Sequence, residues 1–313
     1  MQIFQKTPEF NFMGKRKIAI AFSTMLVIIA ITAIALRGLN FGLDFTGGTL
    51  IEVGYSQSVD LTKVRNALEQ AGFKDATVQH FGTAKDVLIR IAPDAEIVQS
   101  DLADKVIRTL QAENEDVQMR RQEFVGPQVG DELRDDGGLA MIIALAFILV
   151  YVMARFEYRF ALGSIAALIH DVIIVVGCFA LFQWEFDLTV LAAVLAVIGY
   201  SLNDTIVVFD RIRENFRVLR KDTNIDVINV SLNQTLSRTM MTSITTLLVV
   251  VAMYLFGGEL IHAFSQALIV GILVGTYSSI YVASSTTVAL NITRESLMPV
   301  EKEGANQEGQ YIE

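Results

Sequence analysis

The sequence predicts an α-helical membrane protein with six transmembrane helices and an α+β domain of ferredoxin-like order between helices 1 and 2. Three observations predict this class. Hydrophobic residues make up 52% of the 313 residues and charged residues only 19%, below the roughly 25% charged residues of soluble domains. The apolar residues lie in long uncharged runs, which are typical of membrane spans. One polar segment, residues 37–138, separates the first run from the other five.

The first run is the clearest span. It has nineteen uncharged residues, and as a helix it covers about 28 Å, enough to cross a bilayer core. A signal peptide is the alternative, because Ala33-Ile34-Ala35 is typical of a cleavage site. An apolar signal region has only about 7–15 residues, however, which favours an uncleaved helix. The six predicted spans are residues 18–36, 139–154, 160–182, 188–209, 240–256 and 264–290.

The distribution of lysine and arginine predicts the orientation of the spans. With the N-terminus inside, fourteen of the 25 Lys and Arg residues lie on inner segments. The two short outer loops, residues 183–187 and 257–263, carry none, as the positive-inside rule expects. The termini, residues 1–17 and 291–313, and the long loop 210–239 are therefore predicted inside, and the domain 37–138 outside.

The outer domain shows alternating strand and helix patterns. Strands are predicted at residues 49–55, 77–81, 87–91 and 117–125, with one helix capped by Asp60 and another at residues 94–110. The order β-α-β-β-α-β is that of the ferredoxin-like fold. We interpret the domain as a binding or assembly module, with a structural spacer as the alternative.

Composition excludes several function classes. The outer segment has eighteen acidic and eleven basic residues, which argues against binding nucleic acid, because phosphates need a basic surface. A single cysteine, Cys178, excludes a disulfide within the chain. The histidines are far apart in sequence, and no nucleophile pattern is present, so we expect no catalytic residue, no metal site and no cofactor.

Polar residues within the spans are the candidate functional residues, because an ionisable side chain costs about 2.5–3.5 kcal/mol to insert into hydrocarbon. Asp204 lies near the inner end of the fourth span, preceded by Asn203, and Ser201 shares its helix face. Arg238 and Thr242 share a face of the fifth span at a similar depth. We predict a proton pathway in which Arg238 and Thr242 face Asp204. A static buried pair that only fixes helix packing is the alternative.

Asp171, near the middle of the third span, is the second candidate. Its role in conduction stays open at this stage. His170 precedes it, and adjacent residues of a helix point about 100° apart, so the two are predicted not to share a face. His170 is interpreted as a packing residue. Gly271 and Gly275 of the sixth span form a small-xxx-small pair that allows close helix approach.

One span, an outer domain and five further spans form an asymmetric half, as found in transporters that are built from two similar halves. Several transporters consist of two such halves related by an axis along the membrane normal, with sites at their interface. The chain shows one copy only. It is therefore expected to dimerise or to pair with a homologous half.

Specific strings of the sequence resemble the SecD/SecF family of protein-export membrane proteins. Residues 41–49 (FGLDFTGGT), which include Asp44, Gly47 and Gly48, resemble the signature that opens the outer domain of this family. Residues 123–130 (EFVGPQVG) are similar to the segment that closes it. Residues 198–215 (IGYSLNDTIVVFDRIREN) resemble the fourth-span motif, and Ser237-Arg238-Thr239 with Thr242-Ser243 resembles the start of the fifth span.

The resemblance implies an accessory subunit of the Sec translocase, related to the resistance-nodulation-division exporters. Such a subunit pairs with SecD in the bacterial inner membrane, its termini cytoplasmic and its domain periplasmic, and uses the proton-motive force (sodium in some members) to draw preproteins from SecYEG. Asp204 then corresponds to the proton-carrying aspartate and Arg238 to the arginine that works with it. YajC, the translocating preprotein and membrane lipid are the further expected partners. A non-conducting scaffold for SecD or the translocon and half of a small-molecule exporter are the alternatives.

Overall fold

A computed structural model describes residues 8–74, 76–92, 99–114, 116–219 and 222–293. Within these residues, six helices are long and apolar enough to cross a membrane. Their number and order confirm the predicted fold class. Parts of the predicted inner termini, residues 1–7 and 294–313, lie outside the described residues. The six helical segments are Met13–Arg37, Pro127–Arg155, Tyr158–Phe182, Leu188–Val218, Asn224–Phe256 and His262–Ala289.

The segment between the first two spans folds into the predicted α+β domain. Helix α1 (Arg16–Arg37) leads through a short strand β1 (Asn40–Phe41) to the one-turn helix α2 (Leu43–Thr46). The predicted order β-α-β-β-α-β follows and is confirmed. Residues 94–98 of the second predicted helix lie outside the described residues. The elements are β2 (Gly48–Gly54), α3 (Leu61–Gln70), β3 (Thr77–Phe81), β4 (Thr83–Ile91), α4 (Gln99–Glu113) and β5 (Gln118–Val125).

The sheet has the strand order β3-β4-β2-β5, and all its pairs are antiparallel. Because side chains alternate along a strand, one face of β2 and β4 presents a row of buried residues to α3 and α4. This row and the apolar positions of the two helices form the core of the domain, which includes Ile51, Val53, Val87, Ile89, Val64, Leu68, Leu102 and Val106. Asp60 caps α3 by accepting a hydrogen bond from the Thr62 amide at 2.8 Å, and this bond lowers the pKa of Asp60.

The remaining chain is almost entirely helical. It comprises α5 (Pro127–Arg155), α6 (Tyr158–Phe182), the short strand β6 (Glu185–Phe186), α7 (Leu188–Val218), α8 (Asn224–Phe256), α9 (His262–Ser278), a π-helical turn (Ser279–Ala283) and α10 (Ser284–Ala289). Three of these helices extend beyond the predicted spans, because helical hydrogen bonding continues past the apolar run. Thus α5 begins at Pro127, a residue favoured at the first helical position, and most of the predicted loop 210–239 belongs to α7 and α8.

The interior of the helical bundle is formed by α6, α7 and α9. In each of these three spans, half of the most apolar 18-residue stretch is buried. Only 6% of the corresponding stretch is buried in α5 and 17% in α8. The glycine pair of α9 lies directly on α7: a Cβ atom at Gly275 would stand 3.0 Å from Cβ of Ser201, and one at Gly271 would stand 2.1 Å from Cγ2 of Val197. The close approach predicted from these glycines is therefore present.

The outer domain is joined to the helices through the segment that contains Asp44, Gly47 and Gly48. Strand β1 pairs in parallel with β6, and Oδ2 of Asp44 accepts a hydrogen bond from the amide of Leu188 at 3.1 Å, where α7 begins. Arg90 of β4 forms an ion pair with Glu185 of β6. These contacts fix the sheet at the connection between the C-terminal end of α6 and the N-terminal end of α7.

Candidate intramembrane polar site

Asp171 is the centre of a buried polar cluster in the bundle. Its side chain is fully buried on α6. The hydroxyl of Ser201 on α7 donates to its Oδ2 at 2.5 Å, and the hydroxyl of Ser278 on α9 donates to the same oxygen at 2.7 Å. Nδ1 of His170 lies 2.9 Å from Oδ1. Three helices therefore converge on one carboxyl group.

The contact between His170 and Asp171 corrects the sequence analysis. The prediction that the two residues do not share a face is wrong, since their side chains are hydrogen-bonded to each other. The angle of about 100° describes the Cα–Cβ directions, and an imidazole ring is long enough to turn back toward the next residue. His170 is therefore a member of the cluster. Its Nε2 is buried and has no hydrogen-bond partner among the described residues.

Asp204 lies one helical turn beyond Ser201 on α7, toward the helix end that is predicted inside. It is 3% exposed, and its Oδ2 has no hydrogen-bond partner within the described part of the chain. Arg238 of α8 is exposed. The two residues form no ion pair within 4.0 Å in the described chain.

Hydroxyl groups extend the polar cluster from Asp171 to the level of Asp204. Thr205, which follows Asp204, shares a hydrogen bond of 2.9 Å with Ser279, which follows Ser278. The Ser279 hydroxyl also lies within hydrogen-bond distance of the Gly275 carbonyl, at 2.9 Å. Ser279 begins the π-helical turn, a feature often found at functional sites. The Ser279 hydroxyl also lies 3.4 Å from the carbonyl of Ser201, so these hydroxyls line the contact between α7 and the π-helical turn.

The other predicted site residues lie on the surface of the chain. Asn203 is exposed on α7. On α8, Thr242 is half-buried. Its hydroxyl donates to the backbone carbonyl of Arg238 at 2.7 Å, so the hydrogen bond stays within α8. The structure thus brings Ser201 to Asp171, leaves Asn203 and Arg238 exposed and leaves Thr242 half-buried.

Sequence reasoning missed Ser278, Ser279 and Thr205 as members of the cluster and assigned His170 only to packing. A signal for Ser278 and Ser279 was available, because the last predicted span is unusually rich in hydroxyl residues: Ser278, Ser279, Ser284, Ser285, Thr286 and Thr287. Among the described residues, no group of three or more His, Cys, Asp or Glu side chains is placed to hold a metal ion.

Two family models match the chain. The model "Protein export membrane protein SecD/SecF, C-terminal" matches residues 105–293, and the "SecD/SecF GG Motif" matches residues 32–59. The second match includes Asp44, Gly47 and Gly48, which connect the outer domain to the helices.

The chain is similar to several proteins named protein translocase subunit SecF. The one from Vibrio alginolyticus is 52% identical over 307 residues, which cover 97% of this chain and 98% of that relative. The one from Pseudomonas aeruginosa is 53% identical over 296 residues, which cover 94% and 95%. The crystal structure of SecDF, a translocon-associated membrane protein from Thermus thermophilus, matches with a TM-score of 0.83 and 40% identity. That match covers 92% of this chain and 40% of the longer SecDF chain.

Proposed function

Because this chain belongs to the SecD/SecF family of protein-export membrane proteins, we propose that it is an accessory subunit of the Sec protein translocase. In this role it uses the proton-motive force to promote late steps of preprotein export across the bacterial inner membrane. It catalyses no covalent reaction. Protons that pass through the buried polar cluster drive a movement of the outer domain.

One observation carries the proton-coupled part of the proposal: Asp204 is buried within a membrane span, and its Oδ2 has no hydrogen-bond partner in the described chain. A buried carboxylate with an unpartnered oxygen is costly to keep charged, so the position is suited to a group that gains and loses a proton. Each elementary charge that crosses 100 mV supplies about 2.3 kcal/mol. A few protons per cycle are therefore sufficient to drive a domain movement.

The exposed faces of α7 and α8 support a partner of the same family. Asn203 shares an exposed face with Gly199 and Ala196 on α7, and Arg238 and Thr245 are exposed on α8. Small and polar residues of this kind are typical of helix–helix interfaces within membranes rather than of lipid-facing surfaces. We propose that a SecD subunit covers this surface and forms a heterodimer with the chain. The additional length of the solved SecDF chain is consistent with a second half of this kind.

The remaining assignments follow the topology and the family. The N- and C-termini are cytoplasmic, and the ferredoxin-like domain is periplasmic, where it meets the translocating preprotein. SecYEG and YajC are the proposed neighbours of the heterodimer in the membrane. The proton, rather than sodium, is the proposed coupling ion.

The test is the export of a secreted protein into inside-out vesicles that carry Asp204→Asn, with and without a proton-motive force. Asp222→Asn is the matched control, because Asp222 is an exposed aspartate of the inner loop. Co-purification with SecD reports assembly. We expect Asp204→Asn to assemble normally and to lose the force-dependent part of export, while Asp222→Asn retains it.

Two outcomes contradict the proposal. Normal force-dependent export by Asp204→Asn indicates a non-conducting scaffold. If a sodium gradient without a proton gradient supports the same export in vesicles that contain the unaltered chain, the proton is excluded as the coupling ion.

A further inference from the structure

A groove of about 340 Å³ lies beside the buried cluster, on the side of α6 that faces α1. One wall is the first half of α1, with Ser23 and Thr24. The other wall is formed by the π-helical turn and α10, with Tyr281 and Ser285, and His170 of α6 also lines it. The groove follows those parts of α1 and α10 that the proposed topology places in the cytoplasmic half of the membrane.

Two buried polar atoms that lack partners belong to residues of this groove. His170 is 6% exposed and Ser285 is 4% exposed. Neither Nε2 of His170 nor Oγ of Ser285 has a hydrogen-bond partner among the described residues. Buried polar groups are normally satisfied by protein or by ordered water. The rest of the lining is mostly apolar, so these two atoms are the places where a water molecule would find partners.

The imidazole of His170 has a different environment at each nitrogen. Nδ1 is bonded to Asp171, which accepts the hydroxyls of Ser201 and Ser278. Nε2 is buried without a partner among the described residues, and the His170 side chain lines the groove. We propose that His170 is a proton relay that connects the Asp171 cluster to water in the groove between α1 and α10. This inference rests on the proposed proton-coupled function and extends its pathway to the cytoplasmic side.

The groups around His170 are suited to this role. From α6 itself the only charged neighbour within the described chain is Asp171. Helix α9 contributes Tyr277, whose ring centre lies 6.3 Å from that of the imidazole, and the π-helical turn contributes Tyr281. Helix α1 contributes the hydroxyls of Ser23 and Thr24 to the groove. None of these described neighbours carries a positive charge that would disfavour protonation of the imidazole.

The proposed step moves protons only. The proton on Oδ1 of Asp171 passes to Nδ1 of His170, and the proton on Nε2 passes to a water molecule of the groove, which leaves as hydronium. The O–H bond of Asp171 breaks as the N–H bond at Nδ1 forms, and the N–H bond at Nε2 breaks as the new O–H bond of hydronium forms. The ring is neutral before and after the step, and a tautomer exchange resets it.

The first test measures proton flux into vesicles that contain the chain with its SecD partner. His170→Gln retains a side-chain hydrogen bond to Asp171 but cannot relay a proton, and Asp204→Asn serves as the reference variant. We expect His170→Gln to lower the flux at least about tenfold, a modest value for the loss of a positioned proton-transfer group, with unchanged co-purification. If His170→Gln conducts normally while Asp204→Asn does not, the relay is wrong and the proposed function stands. If Asp204→Asn also conducts normally, the proposed function fails as well.

The second test measures whether water reaches the groove, and it is independent of flux. In a Cys178→Ala background, Ser285→Cys and Thr24→Cys are treated with a small charged thiol reagent from the cytoplasmic side. Met25→Cys is the matched control, because Met25 is exposed on the same helix, adjacent to Thr24, and does not line the groove. We expect both groove cysteines to react at least several-fold faster than the control. Equal, slow reaction at all three positions indicates that lipid fills the groove and overturns the relay.

Discussion

The glycine at position 48 permits a sharp test of how closely β2 and β4 approach each other in the outer domain. Its φ angle is +117°, and a Cβ atom there would stand 2.4 Å from the carbonyl oxygen of Ile91. Gly72, at the end of α3, is the matched control. Its φ angle is +101°, and a Cβ atom there would have no neighbour within 4 Å. An alanine would be strained by the positive φ angle at both positions, but only at position 48 would its Cβ atom also collide with a neighbouring atom.

The expected magnitudes follow from this difference. An L-residue held in such a backbone conformation costs about 1–3 kcal/mol. Gly72→Ala is therefore expected to lower the free energy of unfolding of the outer domain by that amount. Gly48→Ala has the same strain and must in addition displace the backbone of β4, which cannot rotate away as a side chain can. Overpacking of this kind adds about 1–3 kcal/mol. We therefore expect Gly48→Ala to be the more destabilising variant by roughly that difference.

The assay is hydrogen–deuterium exchange of the amides of β2 and β4 in the detergent-solubilised protein. The expected result is faster exchange across the β2–β4 pair in Gly48→Ala than in Gly72→Ala, with unchanged exchange in α6 and α7. Equal exchange in the two variants would refute the argument, because it would mean that the approach of Gly48 to Ile91 does not restrict the side chain at position 48.

Two further predictions concern the cluster and the outer domain. Ser278→Ala removes one of the two hydroxyl bonds to Oδ2 of Asp171. It is expected to lower the stability of the helical bundle by about 0.6 kcal/mol and by no more than about 1.7 kcal/mol, the average and the maximum for hydrogen bonds between membrane helices. The midpoint of unfolding in mixed micelles measures the change, and an unchanged midpoint would contradict the bond. Burial, with a smaller contribution from the charge of Glu113, raises the pKa of Tyr55 to about 12, so the ultraviolet difference spectrum between the unaltered protein and Tyr55→Phe is expected to titrate near that pH. The unfolded chain loses this proton near pH 10, whereas the folded chain retains it, so the stability of the domain falls as the pH rises above about 10. A difference spectrum that titrates near pH 10 would contradict the burial of Tyr55.

Local patterns in the sequence predicted the secondary structure well. The spans follow from runs of apolar residues, and the order of the outer domain follows from the two periods of the apolar residues in strands and helices. These signals are local, since each depends on residues within one element. The polar residues of the fourth and fifth spans, together with the family motifs, predicted that Asp204 and Arg238 act together, and this stays a prediction.

Helix boundaries were less predictable. The hydropathy of residues 127–138 and 210–223 indicates where hydrocarbon ends, whereas a helix ends where its backbone hydrogen bonds end. The two criteria differ wherever a helix projects beyond the membrane, as α5, α7 and α8 do. A proline at the first position of α5 and a threonine cap before α8 are the physical start signals at those ends.

The polar cluster depended on tertiary structure. Ser201 and Ser278 are separated from Asp171 by 30 and 107 positions in the sequence, and an apolar helix carries no local signal for the rotation or register with which it meets its neighbours. Close packing of α9 on α7 at Gly271 and Gly275 sets that register and brings the hydroxyls to the carboxylate. Residue types and spans are thus properties of the sequence, whereas the partners of Asp171 and His170 follow from the way in which α1, α6, α7 and α9 pack together.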